Sequence, residues 1–217
     1  MKKCVFVSDF DGTITKKDFF LIYIDMFLGE RGRKYLADYR MENNASYEFL
    51  NNVFAMRSLK HEEYQQLLEE IRWDAYFPKF LKELAEMQID HIILSAGVAF
   101  YVRDALAFHG MPEQRVISND GEFAQDGFIR LYHDLDSPIF SPQYGVDKGK
   151  AIQMLRKEYD FIYFAGDSLP DIPAAEEADV VFAKSSLKHY FEKHNPQRII
   201  AFDSYEEIAN YLKNERK

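Results

Sequence analysis

Residues 4–13 read CVFVSDFDGT, a short apolar run that leads at once into two carboxylates and a glycine. The run Cys4 to Ser8 does not alternate with polar residues, which is typical of a strand covered on both faces of a parallel sheet. Asp9 and Asp11 follow where this strand would end. Two carboxylates beside a buried strand are costly unless something positive binds them, and a hard cation such as Mg²⁺ fits that need.

The rest of the chain alternates similar runs with helical patterns. Apolar runs predict four more strands, at His91 to Ser95, Phe161 to Ala165, Val180 to Ala183 and Arg198 to Phe202. The clearest helical patterns lie at Tyr76 to Met87, Val98 to Phe108, Lys148 to Lys157 and Tyr205 to Leu212. Two Asp-Gly pairs, in Asn119-Asp120-Gly121 and Gln125-Asp126-Gly127, favour a β-hairpin with tight turns. The alternation predicts an α/β fold with a Rossmann-like parallel sheet.

The stretch from about Lys16 to Trp73 departs from this alternation. It has no credible strand, and Tyr64, Leu67, Leu68 and Ile71 have the i, i+3, i+4, i+7 spacing of one helix face. Ser58 could cap a helix that begins near Leu59. We therefore predict a helical-bundle cap domain over residues 16–75, inserted into an α/β core made of residues 1–15 and 76–217.

Composition and charge bear on which molecules the protein binds and on its cellular compartment. The chain has 217 residues, is 47% hydrophobic and carries a net charge of −9, so it gives no electrostatic help toward nucleic acid or an anionic membrane. Its single cysteine, Cys4, excludes a disulfide within the chain and a multi-cysteine zinc site. With no signal peptide and no apolar stretch of membrane-spanning length, we expect a cytoplasmic protein. The sequence does not indicate the oligomeric state.

Three further motifs follow predicted strands or begin predicted helices. Asp167 and Asp171 lie in GDSLPD at residues 166–171, and Ser95-Ala96-Gly97 offers a hydroxyl and backbone N–H groups that could hold a phosphate. Lys148 begins a helix in Asp147-Lys148-Gly149. Each motif alone also fits an ordinary structural role, such as a polar turn, a helix cap or a solvated lysine. In open α/β sheets, however, sites lie at the carboxyl ends of the strands, where all of these motifs would meet.

The four motifs in this order resemble the haloacid dehalogenase superfamily, and the resemblance covers essentially the whole chain. The helical insert after the first motif resembles the cap of that superfamily, and the hairpin before Asp147-Lys148-Gly149 resembles its phosphoserine phosphatase branch. The stretch SDFDGTIT at residues 8–15 is similar to phosphatases of the methionine salvage pathway, which act on a methylthio-ketopentenyl phosphate. The resemblance implies a Mg²⁺-dependent phosphatase whose partner is a small phosphorylated metabolite.

The resemblance also implies a role for each motif residue. Asp9 would attack phosphorus and form an aspartyl-phosphate, and Asp11 would be the general acid and base. Mg²⁺ would be bound by Asp9, the backbone carbonyl of Asp11 and Asp167, with Asp171 orienting metal-bound water or Lys148. The phosphoryl oxygens would be held by Ser95 and Lys148, with further contacts from Gly12, Thr13, Ala96 and Gly97.

The identity of the substrate stays open at this point. Asp18 stands where the phosphoserine branch has an acid that meets the substrate amine, but Phe54 stands where that branch has an arginine for the substrate carboxylate. The alternatives to a methionine-salvage phosphatase are therefore a phosphoserine phosphatase-like or other small-phosphate hydrolase, a phosphomutase, and a non-catalytic protein that binds a phosphorylated metabolite. The resemblance implies phosphoryl transfer rather than cleavage of a carbon–halogen bond, because the dehalogenases of that superfamily lack a carboxylate at the position of Asp11.

Overall fold

The apolar run that begins the chain forms the central strand of a seven-stranded sheet in the computed structural model, which describes residues 3–42, 47–132 and 134–215. The strands are β1 (Cys4–Ser8), β2 (Ile89–Val98), β3 (Arg115–Phe123), β4 (Ile129–Tyr132), β5 (Phe140–Ser141), β6 (Gly145–Val146), β7 (Phe161–Gly166), β8 (Val180–Ala183) and β9 (Ile199–Ala201). The large sheet has the order β4-β3-β2-β1-β7-β8-β9, with every pair parallel except β3 and β4. A separate antiparallel pair joins β5 to β6.

Helices pack on both faces of the large sheet. They are α1 (Phe19–Tyr23), α2 (Gly29–Glu42), α3 (Tyr47–Phe54), α4 (His61–Glu69), α5 (Phe77–Glu86), α6 (Ala99–Phe108), α7 (Lys148–Leu155), α8 (Ile172–Glu177), α9 (Ser185–His194) and α10 (Tyr205–Glu215). On β1, Phe6 packs into the apolar core that includes α5, α6 and α10. Val5 and Val7 pack into the core that includes α7, α8 and α9. The strand is thus buried on both sides, as its unbroken apolar pattern predicts.

Strand register brings the predicted motifs to one edge of the sheet. Ser8 at the end of β1 lies beside Ile93 of β2 and Ala165 of β7, and the Asp9 N–H donates to the Ala165 carbonyl at 2.9 Å. The residues that follow these three strands therefore meet at the carboxyl edge, where sites in open α/β sheets lie.

A cap of four helices, α1 to α4, contacts this edge. The chain enters and leaves it through adjacent segments, because the Lys16 N–H donates to the Arg72 carbonyl at 2.7 Å. Aromatic side chains fill its interior, among them Tyr23, Phe49 and Phe54, all at most 1% exposed. The fold class, a Rossmann-like sheet with an inserted helical cap, is confirmed. The domain boundaries at residues 15/16 and 75/76 stay a prediction.

The hairpin of β3 and β4 contacts the cap. The Leu59 N–H donates to the Gly127 carbonyl at 2.7 Å, and the Leu131 N–H donates to Asn51 Oδ1 at 3.2 Å. Gly127 has a φ of +84°, and a β-carbon there would lie 2.3 Å from the Leu59 carbonyl oxygen. Only glycine therefore permits this close approach of hairpin and cap.

Two local predictions are wrong. The Asn119-Asp120-Gly121 segment is not a turn: it lies within β3, and the hairpin turn falls at residues 124–128. Antiparallel pairing with β4, in which Asp120 lies opposite Tyr132 and Gly121 opposite Leu131, overrides the turn preference of the Asp-Gly pair. The helix expected near Leu59 begins at His61, so Ser58 does not cap it, and the Glu63 carboxylate accepts the Lys60 N–H at 2.9 Å instead.

Among the described residues, the structure contains no helix that is both long and apolar enough to cross a membrane. A cytoplasmic location stays a prediction.

A partly buried imidazole beside the end of β1 is expected to make the free energy of unfolding depend on pH. His91 Nε2 lies 3.1 Å from Ser8 Oγ and its Nδ1 lies 2.8 Å from Gln114 Oε1, while burial lowers the pKa of His91 from 6.5 to about 4. Below pH 6.5 the unfolded chain binds a proton at His91 that the folded chain does not bind. The free energy of unfolding therefore decreases as the pH falls. We expect the free energy of unfolding to fall by about 2 kcal/mol between pH 7 and pH 5 from His91 alone.

Urea unfolding at pH 7 and pH 5 checks this expectation. Between pH 7 and pH 5, the free energy of unfolding of His91→Gln should fall by about 2 kcal/mol less than that of the parent. The matched control is His61→Gln, because His61 is an exposed histidine on α4. Equal losses in the parent and in His91→Gln would show that His91 does not control the pH dependence.

Candidate active site

A buried lysine lies between two carboxylates at the carboxyl edge of the sheet. Lys148, the first residue of α7, donates from Nζ to Asp9 Oδ1 at 2.6 Å and to Asp171 Oδ1 at 2.5 Å. All three residues are at most 4% exposed. Burial lowers the pKa of Lys148, but the charges of Asp171 and Asp9 outweigh it and raise that pKa above its ordinary value. The ammonium therefore stays charged and fixes the orientation of Asp9.

The second oxygen of Asp171 is also fully engaged. Asp171 Oδ2 accepts the N–H groups of Asp167 and Ser168, both at 3.0 Å, and the Ser168 hydroxyl at 3.2 Å. Asp171 thus fixes the turn after β7 through Oδ2 and pairs with Lys148 through Oδ1. With both oxygens occupied by donors, Asp171 is better placed to orient its neighbours than to bind an ion directly.

The turn after β1 brings Asp11, Gly12 and Thr13 over this cluster. Gly12 has a φ of +77°, and a β-carbon there would lie 2.7 Å from Asp167 Oδ2. The Thr13 hydroxyl donates to Asp167 Oδ1 at 3.1 Å, and Lys184 Nζ donates to the Thr13 carbonyl at 3.0 Å. Glycine is required at position 12 by both its backbone angle and its close approach to Asp167.

Asp11 is held by two donors from different parts of the fold. Its Oδ1 accepts the Phe19 N–H at the start of α1 at 2.7 Å, and its Oδ2 accepts the Tyr101 hydroxyl on α6 at 2.7 Å. Burial raises the pKa of Asp11 above its ordinary value, and the hydrogen bonds from Tyr101 and Phe19 partly oppose that rise. A carboxyl group with a raised pKa is suited to carry a proton to a leaving group.

The acidic cluster fits a magnesium ion. Asp9, Asp167 and Asp171 each place a carboxylate oxygen within 4.8 Å of the others. Burial and the charge of Asp171 raise the pKa of Asp167 to about 7, so a cation beside Asp167 would favour its ionised form. A hard, doubly charged cation with oxygen ligands would supply that compensation. Asp9 and Asp167 are the side chains available to it, since the oxygens of Asp171 are engaged.

The last residues of β2, where its register with β3 shifts between Leu94 and Val98, include the predicted phosphate contacts Ser95, Ala96 and Gly97. The Ser95 hydroxyl oxygen accepts the Gly97 N–H at 2.9 Å and keeps its own proton available for donation. Asn119 in β3 fixes this end of β2, because its Nδ2 donates to the carbonyls of Ala96 and Tyr144, both at 2.9 Å. Asn119 is 5% exposed, so its amide has a structural task that the sequence did not reveal.

One cavity of about 450 Å³ opens between these turns and the cap. Of the residues predicted from sequence, those that line it are Asp9, Asp11, Asp18, Ser95, Ala96, Gly97 and Lys148. Asp171 does not line the cavity, but it contacts the lining residues Lys148 and Ser168 through the hydrogen bonds described above. Gly12, Thr13 and Asp167 are not among the lining residues either. Tyr101 and Tyr144 also line the cavity and were not predicted. The structure thus brings the predicted residues together, while their chemical roles stay predictions.

A helical cap over a mostly parallel sheet, with a lysine and several carboxylates at the strand ends, is the architecture of a capped, Rossmann-like α/β protein. The family model for haloacid dehalogenase-like hydrolases matches residues 6–176, and the chain belongs to this family.

Curated relatives extend the resemblance over most of the chain. A 2-hydroxy-3-keto-5-methylthiopentenyl-1-phosphate phosphatase from Bacillus pumilus is 30% identical over 191 residues, which cover 86% of this chain and 81% of the relative. A protein of the same name from Lysinibacillus sphaericus is 29% identical over 194 residues, covering 86% of this chain and 84% of the relative.

Solved structures show the same fold. A phospho-aspartyl intermediate analogue of phosphoserine phosphatase superposes with a TM-score of 0.73 at 16% identity, covering 97% of this chain and 99% of the other. Phosphoserine phosphatase from T. onnurineus has a TM-score of 0.66 at 19% identity, covering 99% of this chain and 96% of the other. Together with the relatives, these findings confirm the predicted enzyme class, a phosphatase of the haloacid dehalogenase-like family.

Proposed function

We propose that this protein hydrolyses the phosphomonoester of a small metabolite in two steps, through an aspartyl-phosphate on Asp9. The observation that carries the proposal is the buried Lys148 ammonium held between Asp9 and Asp171 at the edge of the cavity. Lys148 orients the Asp9 carboxylate and places a fixed positive charge where phosphoryl oxygens would lie. Phosphoryl transfer depends chiefly on such positioning and charge stabilisation.

In the first step, an Asp9 carboxylate oxygen forms a bond to phosphorus while the bond from phosphorus to the leaving oxygen breaks. Asp11 gives its proton to that oxygen, so the product leaves as a neutral alcohol or enol. In the second step, water forms a bond to phosphorus, Asp11 takes a proton from this water, and the bond from phosphorus to Asp9 breaks. Inorganic phosphate leaves, and Asp9 and Asp11 return to their starting protonation states.

Mg²⁺, when bound, would supply positive charge against the carboxylates and the phosphoryl oxygens. The residues that would hold it are Asp9, Asp167 and the backbone carbonyl of Asp11. Thr13 and Lys184 support this arrangement, since one donates to Asp167 and the other to the Thr13 carbonyl. Ser95 and the N–H groups of Ala96 and Gly97 would hold the remaining phosphoryl oxygens.

The cavity lining favours an uncharged, largely apolar leaving group. Its cap side consists of Asp18 and the apolar or aromatic residues Phe20, Tyr47, Leu50 and Phe54, and its core side adds Leu169 and Pro170. Among the described residues that line it, Lys148 has the only positively charged side chain, and two carboxylates already pair with it. A substrate carboxylate would therefore be desolvated without a partner charge, at a cost of several kcal/mol.

Arg57, which lies three residues after Phe54 in the cap, already has other partners. Arg57 Nη2 donates to Glu63 Oε1 at 2.5 Å, and its guanidinium lies 4.8 Å from the centre of the Phe27 ring. We therefore favour a substrate like that of the curated relatives, 2-hydroxy-3-keto-5-methylthiopentenyl-1-phosphate, over phosphoserine. Both the uncharged chain of that substrate and its size suit an apolar cavity of this volume.

Phosphate release from a panel of phosphomonoesters tests the proposed function, first with Mg²⁺ and then with EDTA. We expect release that EDTA abolishes, with kcat/KM for esters of uncharged apolar alcohols or enols at least about 100-fold above that for phosphoserine. Addition of Mg²⁺ after chelation should restore turnover. Preference for phosphoserine would contradict the proposed leaving group, and full turnover in EDTA would contradict the metal requirement.

A further inference from the structure

The two hydrogen bonds to Asp11 come from opposite sides of the site, one from the cap and one from the core. The Phe19 N–H at the start of α1 donates to Oδ1, and the Tyr101 hydroxyl on α6 donates to Oδ2. Each carboxyl oxygen has two lone pairs, so one accepted bond at each oxygen leaves room for the transferable proton. Neither donor belongs to the motifs that led to the proposed function.

The position of Tyr101 is fixed by packing independent of Asp11. Its ring stacks on Phe19 with centroids 4.0 Å apart and planes 7° from parallel, and it also packs against Phe10 at 6.3 Å. The residue is 2% exposed. Such a ring has little freedom, so its hydroxyl is held in place before a substrate arrives.

Gly97 is the residue that leaves space for this hydroxyl. A β-carbon at position 97 would lie 1.7 Å from the Tyr101 oxygen and 3.0 Å from Asp11 Oδ2. Any larger residue there would displace the phenol from Asp11. The glycine that was predicted to contact phosphate therefore also permits the contact between Tyr101 and Asp11.

We propose that Tyr101 is a positioning residue for the Asp11 carboxyl group. This inference rests on the proposed function, in which Asp11 passes a proton to the leaving oxygen. A carboxyl group free to rotate would spend much of its time in orientations that cannot transfer the proton. Tyr101 and Phe19 together hold it in one orientation, so the proton-transfer step needs no further ordering of the side chain.

This role has a consequence that a merely structural hydroxyl does not have. Loss of the Tyr101 hydroxyl should slow cleavage in proportion to how much the leaving oxygen needs a proton. An alkyl phosphate has a strongly basic leaving oxygen and depends on the general acid. The phenolate released from p-nitrophenyl phosphate is a weak base and leaves without such help.

Tyr101→Phe tests the inference, because it removes the hydroxyl and keeps the ring stacked on Phe19. We expect kcat/KM to fall about 10- to 100-fold for an alkyl phosphate and less than about threefold for p-nitrophenyl phosphate. In an Asp11→Asn background, the same change should add no further loss for p-nitrophenyl phosphate.

Tyr64→Phe is the matched control. Tyr64 is 3% exposed, and its hydroxyl donates to Asp104 Oδ2 on the same helix α6 at 2.7 Å. It should lower kcat/KM for both esters equally, if at all. Equal losses for both esters in Tyr101→Phe, or no loss, would overturn the inference while the parent remains active. A parent that cleaves neither ester would overturn the proposed function itself.

Discussion

Asp9→Asn is expected to abolish turnover. The amide has nearly the same shape as the carboxylate but cannot attack phosphorus, so kcat should fall about 10⁴-fold or more on every substrate that the parent cleaves. Because Asp9 is buried beside Lys148 at the end of β1, an isosteric change disturbs the packing little. Steady-state phosphate release checks the loss, and a thermal melt followed by circular dichroism checks that the variant is folded.

The control for this variant is Asp38→Asn, which neutralises an exposed carboxylate on α2. It should keep the turnover of the parent. Near-normal turnover in Asp9→Asn on any substrate would show that another group, or water directly, attacks phosphorus there.

Lys148→Met is expected to damage both stability and activity. The substitution leaves Asp9 and Asp171 buried without their shared counter-charge, and removing one partner of a buried ion pair costs about 3–5 kcal/mol. It also removes a fixed positive charge from the phosphoryl site, which we expect to lower kcat/KM about 100- to 1000-fold. Urea unfolding and kinetics on the same preparation measure the two effects.

A double variant separates these two effects. Lys148→Met with Asp171→Asn removes both charges, so it should recover part of the lost free energy of unfolding without recovering activity. Lys150→Met is the surface control: Lys150 lies two residues further along α7, and its Nζ is 3.8 Å from Asp147 Oδ2 with the side chain 52% exposed. Lys150→Met should change the free energy of unfolding by less than about 1 kcal/mol. Recovery of activity in the double variant would mean that Lys148 acts only through Asp171.

Much of the fold and site could be predicted because the decisive signals are local. An unbroken apolar run predicts a doubly covered strand, and parallel strands bring their carboxyl ends to one edge. For that reason Asp9, Ser95 and Asp167 could be placed together before any contact was known. The register of β1 with β7 places Asp9 and Asp167 beyond the ends of neighbouring strands, since Ser8 pairs with Ala165.

The remaining features depend on contacts between distant segments. Tyr101 meets Asp11 across 90 residues of sequence, through packing of α6 against α1 that no local pattern encodes. Asn119 looks like part of an Asp-Gly turn, but pairing with β2 keeps it extended and turns its amide toward Ala96. A tyrosine in an apolar helix and an asparagine before Asp-Gly both have commoner structural explanations, which is why the sequence did not single them out.

The covalent step on Asp9 is the central claim, and trapping its product tests it most directly. The Asp11→Asn variant is mixed with p-nitrophenyl phosphate and Mg²⁺, quenched in acid within the first turnovers, digested, and analysed by mass spectrometry. Because Asp11 activates the water of the second step, the intermediate should accumulate in this variant. We predict that the peptide containing Asp9 gains the mass of one phosphoryl group. Release of p-nitrophenol with the Asp9 peptide unmodified at every quench time would contradict the account.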